Sequence, residues 1–183
     1  MITAISSADL WFEQFMLSIR TPFFVQVFKV VTFFGNVTTL IGIAGIIALY
    51  VFLYNPQLRA YVYGLGTSLF GAAASSTVLK EIVQRARPSG AIPAIVDTSS
   101  SFPSWHATGA VAVYGFITFF LCRLFPRYTK SIVFVSVLLI LSIGFSRLYL
   151  GVHFPSDVIA GYLVGGVWLL LGIAVTKRFA HNY

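Results

Sequence analysis

Long stretches without a charged residue recur along this chain, and they predict helices that cross a membrane. Five such stretches stand out, at residues 36–54, 60–79, 105–122, 131–146 and 158–176. A helix needs about 20 apolar residues to span the hydrocarbon core of a bilayer, with a range of roughly 17–25. Each stretch fits once a few flanking residues are allowed. The pattern predicts an all-α, integral-membrane helical bundle with five to six transmembrane helices.

Residues 8–34 are also apolar and aromatic, but this run is interrupted. Polar side chains and a proline divide it, namely Glu13, Gln14, Arg20, Pro22, Gln26 and Lys29. We expect two short amphipathic helices, about 7–20 and 22–34, that lie in the membrane interface. The alternative is one tilted, imperfect span.

The composition agrees with a membrane protein. Hydrophobic residues make up 58% of the 183 residues, charged residues make up 9%, and the mean hydropathy is +0.89. A soluble domain carries roughly 25% charged residues, and a single core of this size cannot bury so much apolar surface. We therefore predict one membrane-embedded domain over 1–183, with interfacial helices in 1–35 and a transmembrane core in 36–178. The single cysteine, Cys122, excludes an intrachain disulfide.

The basic residues predict the orientation of the bundle. Six of them fall in alternate loops on one side, which the positive-inside rule makes cytoplasmic: Arg59, Arg123, Arg127, Lys130, Lys177 and Arg178. We expect a multi-pass protein of the cell (inner) membrane. The loops on the opposite side of the bundle, which hold the remaining polar residues of the core, are expected to face the extracytoplasmic side. The net charge of +7 does not predict a nucleic-acid partner, because the basic residues lie at the ends of apolar runs and form no single patch. No obligate protein partner is implied.

Three short polar clusters fall on that opposite side. They are Lys80-x6-Arg87-Pro88, Pro103-Ser104-Trp105-His106 and Ser146-Arg147-x5-His153-x3-Asp157. Charge is costly in so apolar a chain, so the clusters indicate a site. Each has a simpler explanation when taken alone: basic side chains can anchor a helix at the interface, and the serine and aspartate can cap helices beside bystander histidines.

The residue types suit phosphate chemistry. Asp157 can accept a hydrogen bond from one imidazole nitrogen of His153, which leaves the other free to attack. Ser104 stands where a helix would begin, and a helix N-terminus favours an anion. His106, in the first turn, can act as a general acid. Lysine and arginine suit phosphate oxygens, and Lys80 and Arg87 supply both types.

In this order and spacing, the clusters resemble the signature of the type 2 phosphatidic acid phosphatase family, which reads Lys-x6-Arg-Pro, Pro-Ser-Gly-His and Ser-Arg-x5-His-x3-Asp. The similar region, about 60–176, covers nearly two-thirds of the chain. The resemblance, which extends to bacterial phosphatidylglycerophosphatase and undecaprenyl pyrophosphate phosphatase members, implies an enzyme. It would hydrolyse a phosphomonoester or diphosphate lipid (phosphatidic acid, phosphatidylglycerol phosphate or undecaprenyl diphosphate) at the outer membrane face through a phosphohistidine intermediate.

The resemblance also implies residue roles. His153 is the implied nucleophile, Asp157 its orienting partner and His106 the general acid. The implied phosphate-binding residues are Lys80, Arg87, Ser104, Trp105 and Arg147. No metal or other cofactor is implied, and the few carboxylates near the clusters agree, since a two-metal site needs more. Trp105 departs from the family pattern, which most often has Gly there, and its indole is expected to narrow the pocket, pack on lipid or shift a backbone N–H.

Two alternatives stay open beside the enzyme that acts on a phosphorylated membrane lipid. One is a non-catalytic lipid-phosphate binding or transport protein, although binding alone needs only the cations and not the histidines. The other is a vanadate-dependent haloperoxidase, whose site motif is similar. Those enzymes are soluble, so the five predicted spans argue against this alternative.

Overall fold

The computed structural model describes residues 7–90 and 99–180, and within these ranges the chain forms seven helices. They are α1 (Ser7–Ser18), α2 (Pro22–Phe33), α3 (Val37–Tyr54), α4 (Arg59–Val83), α5 (Trp105–Leu124), α6 (Thr129–Tyr149) and α7 (Pro155–Ala180). A π-helical segment, Ala110–Tyr114, lies inside α5. The prediction of an all-α membrane bundle is confirmed. Residues 1–6, 91–98 and 181–183 of the predicted domain lie outside the described residues.

Five helices, α3 to α7, are long and apolar enough to cross a membrane, as predicted. Large apolar side chains remain exposed on their outer surfaces, for example Ile46, Phe70, Phe134 and Leu163. Such a surface is typical of a protein whose solvent is lipid. Four spans, α4 to α7, run longer than their charge-free stretches. In particular, α4 continues through Lys80 and α6 continues through Arg147. These two cations therefore lie in the last helical turns rather than in loops.

The first two helices form as two separate elements, with α1 and α2 inclined by 120° at their junction. Thr21 begins α2, since its hydroxyl accepts a 3.4 Å hydrogen bond from Phe24 N and Pro22 fills the first turn. In α1 the acids Asp9 and Glu13 are buried, whereas Trp11 is 67% exposed. The polar face of α1 therefore packs on the protein and its aromatic face points outward. Their location in the membrane interface stays a prediction.

Glycines allow α4 and α7 to pack closely along the centre of the bundle. A Cβ atom on Gly64 would lie 2.5 Å from the carbonyl oxygen of Gly172, and one on Gly172 would lie equally close to the carbonyl of Gly64. Small residues at such crossings bring helix backbones together where lipid supplies no hydrophobic driving force. The contact fixes α7 against α4 near the start of α4 and the end of α7.

Candidate active site

A cavity of about 640 Å³ opens at the end of the bundle where α4 and α6 end and α5 and α7 begin. Six of the eight predicted site residues line it, namely Lys80, Arg87, Trp105, His106, Arg147 and His153. The other two, Ser104 and Asp157, are fully buried. Three clusters that are up to 77 positions apart in the chain thus meet at one place. Asn36, Ser76, Ser99 and Lys29 also contribute to the wall.

His153 is held by Asp157, but mainly through a third residue. The distance from His153 Nδ1 to Asp157 Oδ2 is 3.6 Å, which is long for a hydrogen bond. Ser101 lies between them, with its Oγ 3.3 Å from Nδ1 and 2.5 Å from Oδ2. Asp157 Oδ2 also accepts a 2.9 Å bond from Phe154 N. The same carboxylate therefore caps α7 and faces the histidine, so the two sequence interpretations of Asp157 hold together.

The neighbours of His153 determine which ring nitrogen carries the proton. Arg87 Nη1 lies 3.3 Å from Nε2, and a guanidinium can only donate, so Nε2 is the unprotonated nitrogen. Nδ1 then carries the proton toward Ser101. Burial, together with the nearby charges of Arg147 and Arg87, lowers the pKa of His153 to about 3. The imidazole is therefore neutral at pH 7, with a lone pair on the nitrogen beside Arg87.

The other predicted cations are held by the protein around the same space. Lys80 donates to the carbonyl oxygen of Ser100. Arg147, which is 4% exposed, donates a 2.7 Å hydrogen bond from Nη1 to Thr32 Oγ1. Ser104 N donates to the carbonyl oxygen of Asp157 at 3.0 Å. These contacts bring fixed positive charge and the start of α5 to the wall of one cavity.

Ser104 and Trp105 each have a buried side-chain hydrogen-bond donor. Within residues 7–90 and 99–180, neither Ser104 Oγ nor Trp105 Nε1 has a hydrogen-bond partner. Ser104 stands at the predicted N-cap position of α5, but its hydroxyl does not cap the helix. Trp105 is part of the cavity wall. Unsatisfied buried donors are uncommon in folded proteins and suit a site that receives an anion.

His106 is positioned by the turn between α2 and α3. Its Nε2 lies 2.8 Å from Asn36 Oδ1. A Cβ atom on Gly35 would lie 2.9 Å from His106 Cδ2, so only glycine allows the turn to approach the ring this closely. Sequence reasoning missed Asn36. Its only signal was an asparagine at the start of an apolar run, and its partner lies 70 positions away.

Arg85 does not line the cavity, but it contacts Asp157 on the buried side of the site. Its guanidinium donates to Asp157 Oδ1 at 2.5 Å and to Asp9 Oδ2 at 2.8 Å, and Ser156 Oγ is 2.7 Å away. It also stacks on the Phe154 ring at 4.5 Å. Arg85, Asp9 and Asp157 are all buried. In the sequence, Arg85 lies between Lys80 and Arg87, two of the predicted phosphate-binding residues. Asp9 was missed.

Two further residues, one in α1 and one in the turn that follows it, join the N-terminal segment to the loop after α4 and to the end of α6. Glu13 Oε1 accepts hydrogen bonds from Gly90 N at 3.0 Å and from Ser89 Oγ at 3.2 Å. Arg20 donates to Gly90 O at 2.8 Å and to Tyr149 O at 3.2 Å. The N-terminal helices are therefore part of the structure around the candidate site. Across the described ranges, no group of three or more His, Cys, Asp or Glu side chains is arranged to hold a metal ion.

The sequence has relatives among bacterial phosphatases. It is 32% identical over 169 residues to phosphatidylglycerophosphatase B of Bacillus subtilis, and the match covers 88% of this chain and 80% of that protein. It is 30% identical to lipid A 4′-phosphatase of Bacteroides thetaiotaomicron, with 95% of this chain and 80% of that protein covered.

The fold agrees with the sequence matches. The crystal structure of the transmembrane PAP2 type phosphatidylglycerolphosphate phosphatase from Bacillus subtilis matches 94% of this chain and 86% of its own, with a TM-score of 0.83 and 29% identity. Aquifex aeolicus LpxE shares the fold, at a TM-score of 0.74 and 20% identity over 95% of this chain and 99% of its own. The family model of the PAP2 superfamily matches residues 60–180, which contain all eight predicted site residues. By this match, and as the motif resemblance predicted, the chain belongs to the PAP2 superfamily.

Proposed function

We propose that this protein is a membrane lipid phosphatase that hydrolyses a phosphomonoester or diphosphate lipid through a phosphohistidine intermediate on His153. One observation carries the proposal: the unprotonated Nε2 of His153 lies beside Arg87 in the wall of a cavity that Lys80 and Arg147 also line. A neutral nitrogen nucleophile is thereby placed among cations that suit phosphate oxygens. The relatives named for lipid phosphatase activities support a lipid as substrate.

In the first step, His153 Nε2 attacks phosphorus, so that an N–P bond forms while the bond from phosphorus to the leaving oxygen breaks. His106 gives the leaving oxygen its proton. In the second step, His106 takes a proton from water, the water oxygen attacks phosphorus, and the N–P bond breaks to release inorganic phosphate. Asp157 and Ser101 stabilise the positive charge that develops on the His153 ring.

The cations act on the charge of the transferring phosphoryl group. Lys80, Arg87 and Arg147 would bind its oxygens, and the buried hydroxyl of Ser104 can donate to one of them. Fixed donors of this kind stabilise a transition state without reorganisation, and they act more strongly in a site that excludes water. All these roles are carried by side chains of the protein itself.

We place the site at the extracytoplasmic face of the cell membrane. Arg59 begins α4, Arg123 lies at the end of α5, and Lys177 and Arg178 lie at the end of α7. These helix ends are opposite to the ends that form the cavity, and basic residues collect on the cytoplasmic side. Headgroups of outer-leaflet lipids would then lie level with the cavity.

A panel of lipids tests the function directly. Phosphate release is measured from phosphatidic acid, phosphatidylglycerol phosphate and undecaprenyl diphosphate in one detergent, with the purified protein. We expect release from at least one of them and inhibition by orthovanadate, which would occupy the phosphate site. Binding of these lipids without release of phosphate from any of them would instead support a binding or transport protein.

The lowered pKa of His153 predicts an unusual pH dependence. An ordinary histidine nucleophile is half protonated near pH 6.5 and loses activity below it. Because the pKa of His153 is lowered to about 3, its Nε2 stays unprotonated as the pH falls through 6.5. The kcat/KM of the enzyme should therefore show no acid limb of its own between about pH 7 and pH 4. An acid limb can also arise from protonation of the substrate phosphate, and substrates whose phosphates differ in pKa separate this cause from protonation of the enzyme. An acid limb near pH 6.5 that stays at the same pH for all substrates would contradict the prediction.

Asn36 predicts a leaving-group effect. It holds the His106 ring at 2.8 Å, so Asn36→Ala should slow hydrolysis of alkyl phosphate lipids by about tenfold, and His106→Ala by about 100-fold or more. Aryl phosphates with activated leaving groups should slow much less, because their oxygen needs no proton. Asn55→Ala, at the other end of α3, is the matched control. Equal slowing of alkyl and aryl esters would show that His106 and Asn36 do not serve proton donation.

A further inference from the structure

A fourth cation, Lys29, lines the cavity and lies outside the three polar clusters. It belongs to α2, in the N-terminal segment that the family model does not match. Within residues 7–90 and 99–180, its ammonium forms no hydrogen bond and no ion pair. The lysine is partly buried and therefore not simply a surface charge. Its charge is available to a molecule in the cavity.

Lys80, Arg87 and Arg147 are the three cations predicted to bind phosphate, and we call them the phosphate cradle. The position of Lys29 relative to this cradle follows from α2. Thr32, three residues on, lies on the same face of the helix and accepts the hydrogen bond from Arg147. Three residues advance a helix by about 4.5 Å. Lys29 therefore lies about one helical turn before Thr32, the residue that accepts the hydrogen bond from Arg147. This places its charge next to the cradle rather than within it.

The charge of the wall exceeds what one phosphate group requires. Its cations are Lys29, Lys80, Arg87 and Arg147, and none of the described residues that line the cavity is an aspartate or glutamate. A phosphomonoester carries a charge of about −1.5 to −2 near neutral pH, which the three cradle cations already balance. Ser76 adds a buried hydroxyl, 1% exposed, that has no hydrogen-bond partner in the described part of the chain. An additional cation and an additional donor fit an additional anionic group.

We propose that Lys29 binds a second phosphate group of the substrate, so that the cavity prefers lipids that carry two phosphates over lipids that carry one. This inference rests on the proposed phosphatase function. The second group is either joined directly to the scissile phosphate, as in a diphosphate, or separated from it by a short linker, as in a phosphodiester headgroup that ends in a phosphomonoester. Lys29 forms a charge-assisted contact with that second group in both cases.

The test uses three lipids with the same dioleoyl tails. Phosphatidic acid carries one phosphate, diacylglycerol diphosphate carries two that are joined, and phosphatidylglycerol phosphate carries two that a glycerol separates. Initial rates of phosphate release give kcat/KM for each lipid. We expect Lys29→Gln to lower the ratio of kcat/KM for a two-phosphate lipid to that for phosphatidic acid by about tenfold, the size of one lost charge-assisted hydrogen bond. The ratio is compared for the two lipids that carry two phosphates. The lipid whose ratio falls more shows which spacing between the two phosphates the cavity accommodates.

Two variants serve as controls. Lys29→Arg keeps the charge and should restore most of the ratio. Lys130→Gln removes an exposed lysine at the other end of the bundle and should leave the ratio unchanged. Two results would overturn the proposal. An equal fall in kcat/KM for all three lipids would mean that Lys29 attracts any anionic lipid, and no fall for any lipid would mean that Lys29 contacts no substrate in the cavity.

A binding measurement separates this inference from the function on which it rests. Calorimetric titration of His153→Ala with the same lipids requires no turnover. Tighter binding of a two-phosphate lipid that is lost in the Lys29→Gln, His153→Ala double variant supports the second-phosphate contact even if the wild type releases no phosphate. Equal affinity for the three lipids in His153→Ala would exclude the contact even if the wild type is an active phosphatase.

Discussion

Replacing His153 with alanine is expected to lower the rate of phosphate release by about 10⁴-fold or more, since in the proposed mechanism the loss of the nucleophile removes the covalent pathway altogether. His153 presents its unprotonated Nε2 to the cavity beside Arg87. In the described part of the chain, His106 is the other imidazole of the cavity, and its Nε2 is held by Asn36. Lys80, Arg87 and Arg147 would still bind a phosphate in the variant, so binding of the lipid should survive while turnover is lost.

A phosphoenzyme trap makes this prediction specific. Rapid quenching of the wild type with a ³²P-labelled substrate should give label that is stable in base and labile in acid, as expected of a phosphohistidine. His153→Ala should give none. His106→Ala is the informative comparison: with an activated leaving group its first step still proceeds, while activation of water is impaired, so labelled enzyme should accumulate. Label that persists in His153→Ala would refute the assignment of the nucleophile.

The membrane spans, and most of the side chains that meet in the cavity, could be predicted because each depends on local information. A charge-free stretch of sufficient length reports a span by itself, and the clusters around Lys80, His106 and His153 have fixed spacings along the chain. The orientation of the bundle, which stays a prediction, needs only the order of the spans in addition. These features do not depend on which distant residues pack against one another.

The residues that hold the site could not be predicted, because their partners are distant in sequence. Asp9 lies 76 positions from Arg85, and Asn36 lies 70 positions from His106. In the sequence, the polar residues of the N-terminal segment appeared only as interruptions of an apolar run. The structure shows the physical reason for its acids: Asp9 and Glu13 face the protein, where Arg85 and the Gly90 amide neutralise or bind them.

The link between His153 and Asp157 shows the same limit at short range. Their spacing of four residues predicted a direct hydrogen bond, but the two side chains are 3.6 Å apart. Ser101 reaches between them from the segment before α5. Residue type and spacing identified the pair, whereas the bridging hydroxyl depended on how another part of the chain folds back.

Removal of the Arg85 guanidinium is expected to be the most destabilising single change in the site. Arg85→Met leaves the buried carboxylates of Asp9 and Asp157 without their shared cation, which is 2.8 Å from the first and 2.5 Å from the second. Loss of one partner of a buried ion pair costs about 3–5 kcal/mol, because the remaining charge stays buried and unpaired. Activity should fall as well, since Asp157 then loses a contact that holds it beside Ser101 and His153.

Reversible unfolding in mixed detergent measures the loss of stability, and paired variants test its cause. Arg85→Met combined with Asp9→Asn removes one of the two unpaired charges, so the double variant should be less destabilised than the sum of its single changes. Arg127→Met, an exposed arginine at the other end of the bundle, is the control. If Arg85→Met and Asp9→Asn are simply additive, the two residues are not energetically coupled, and α1 does not stabilise the active site through this ion pair.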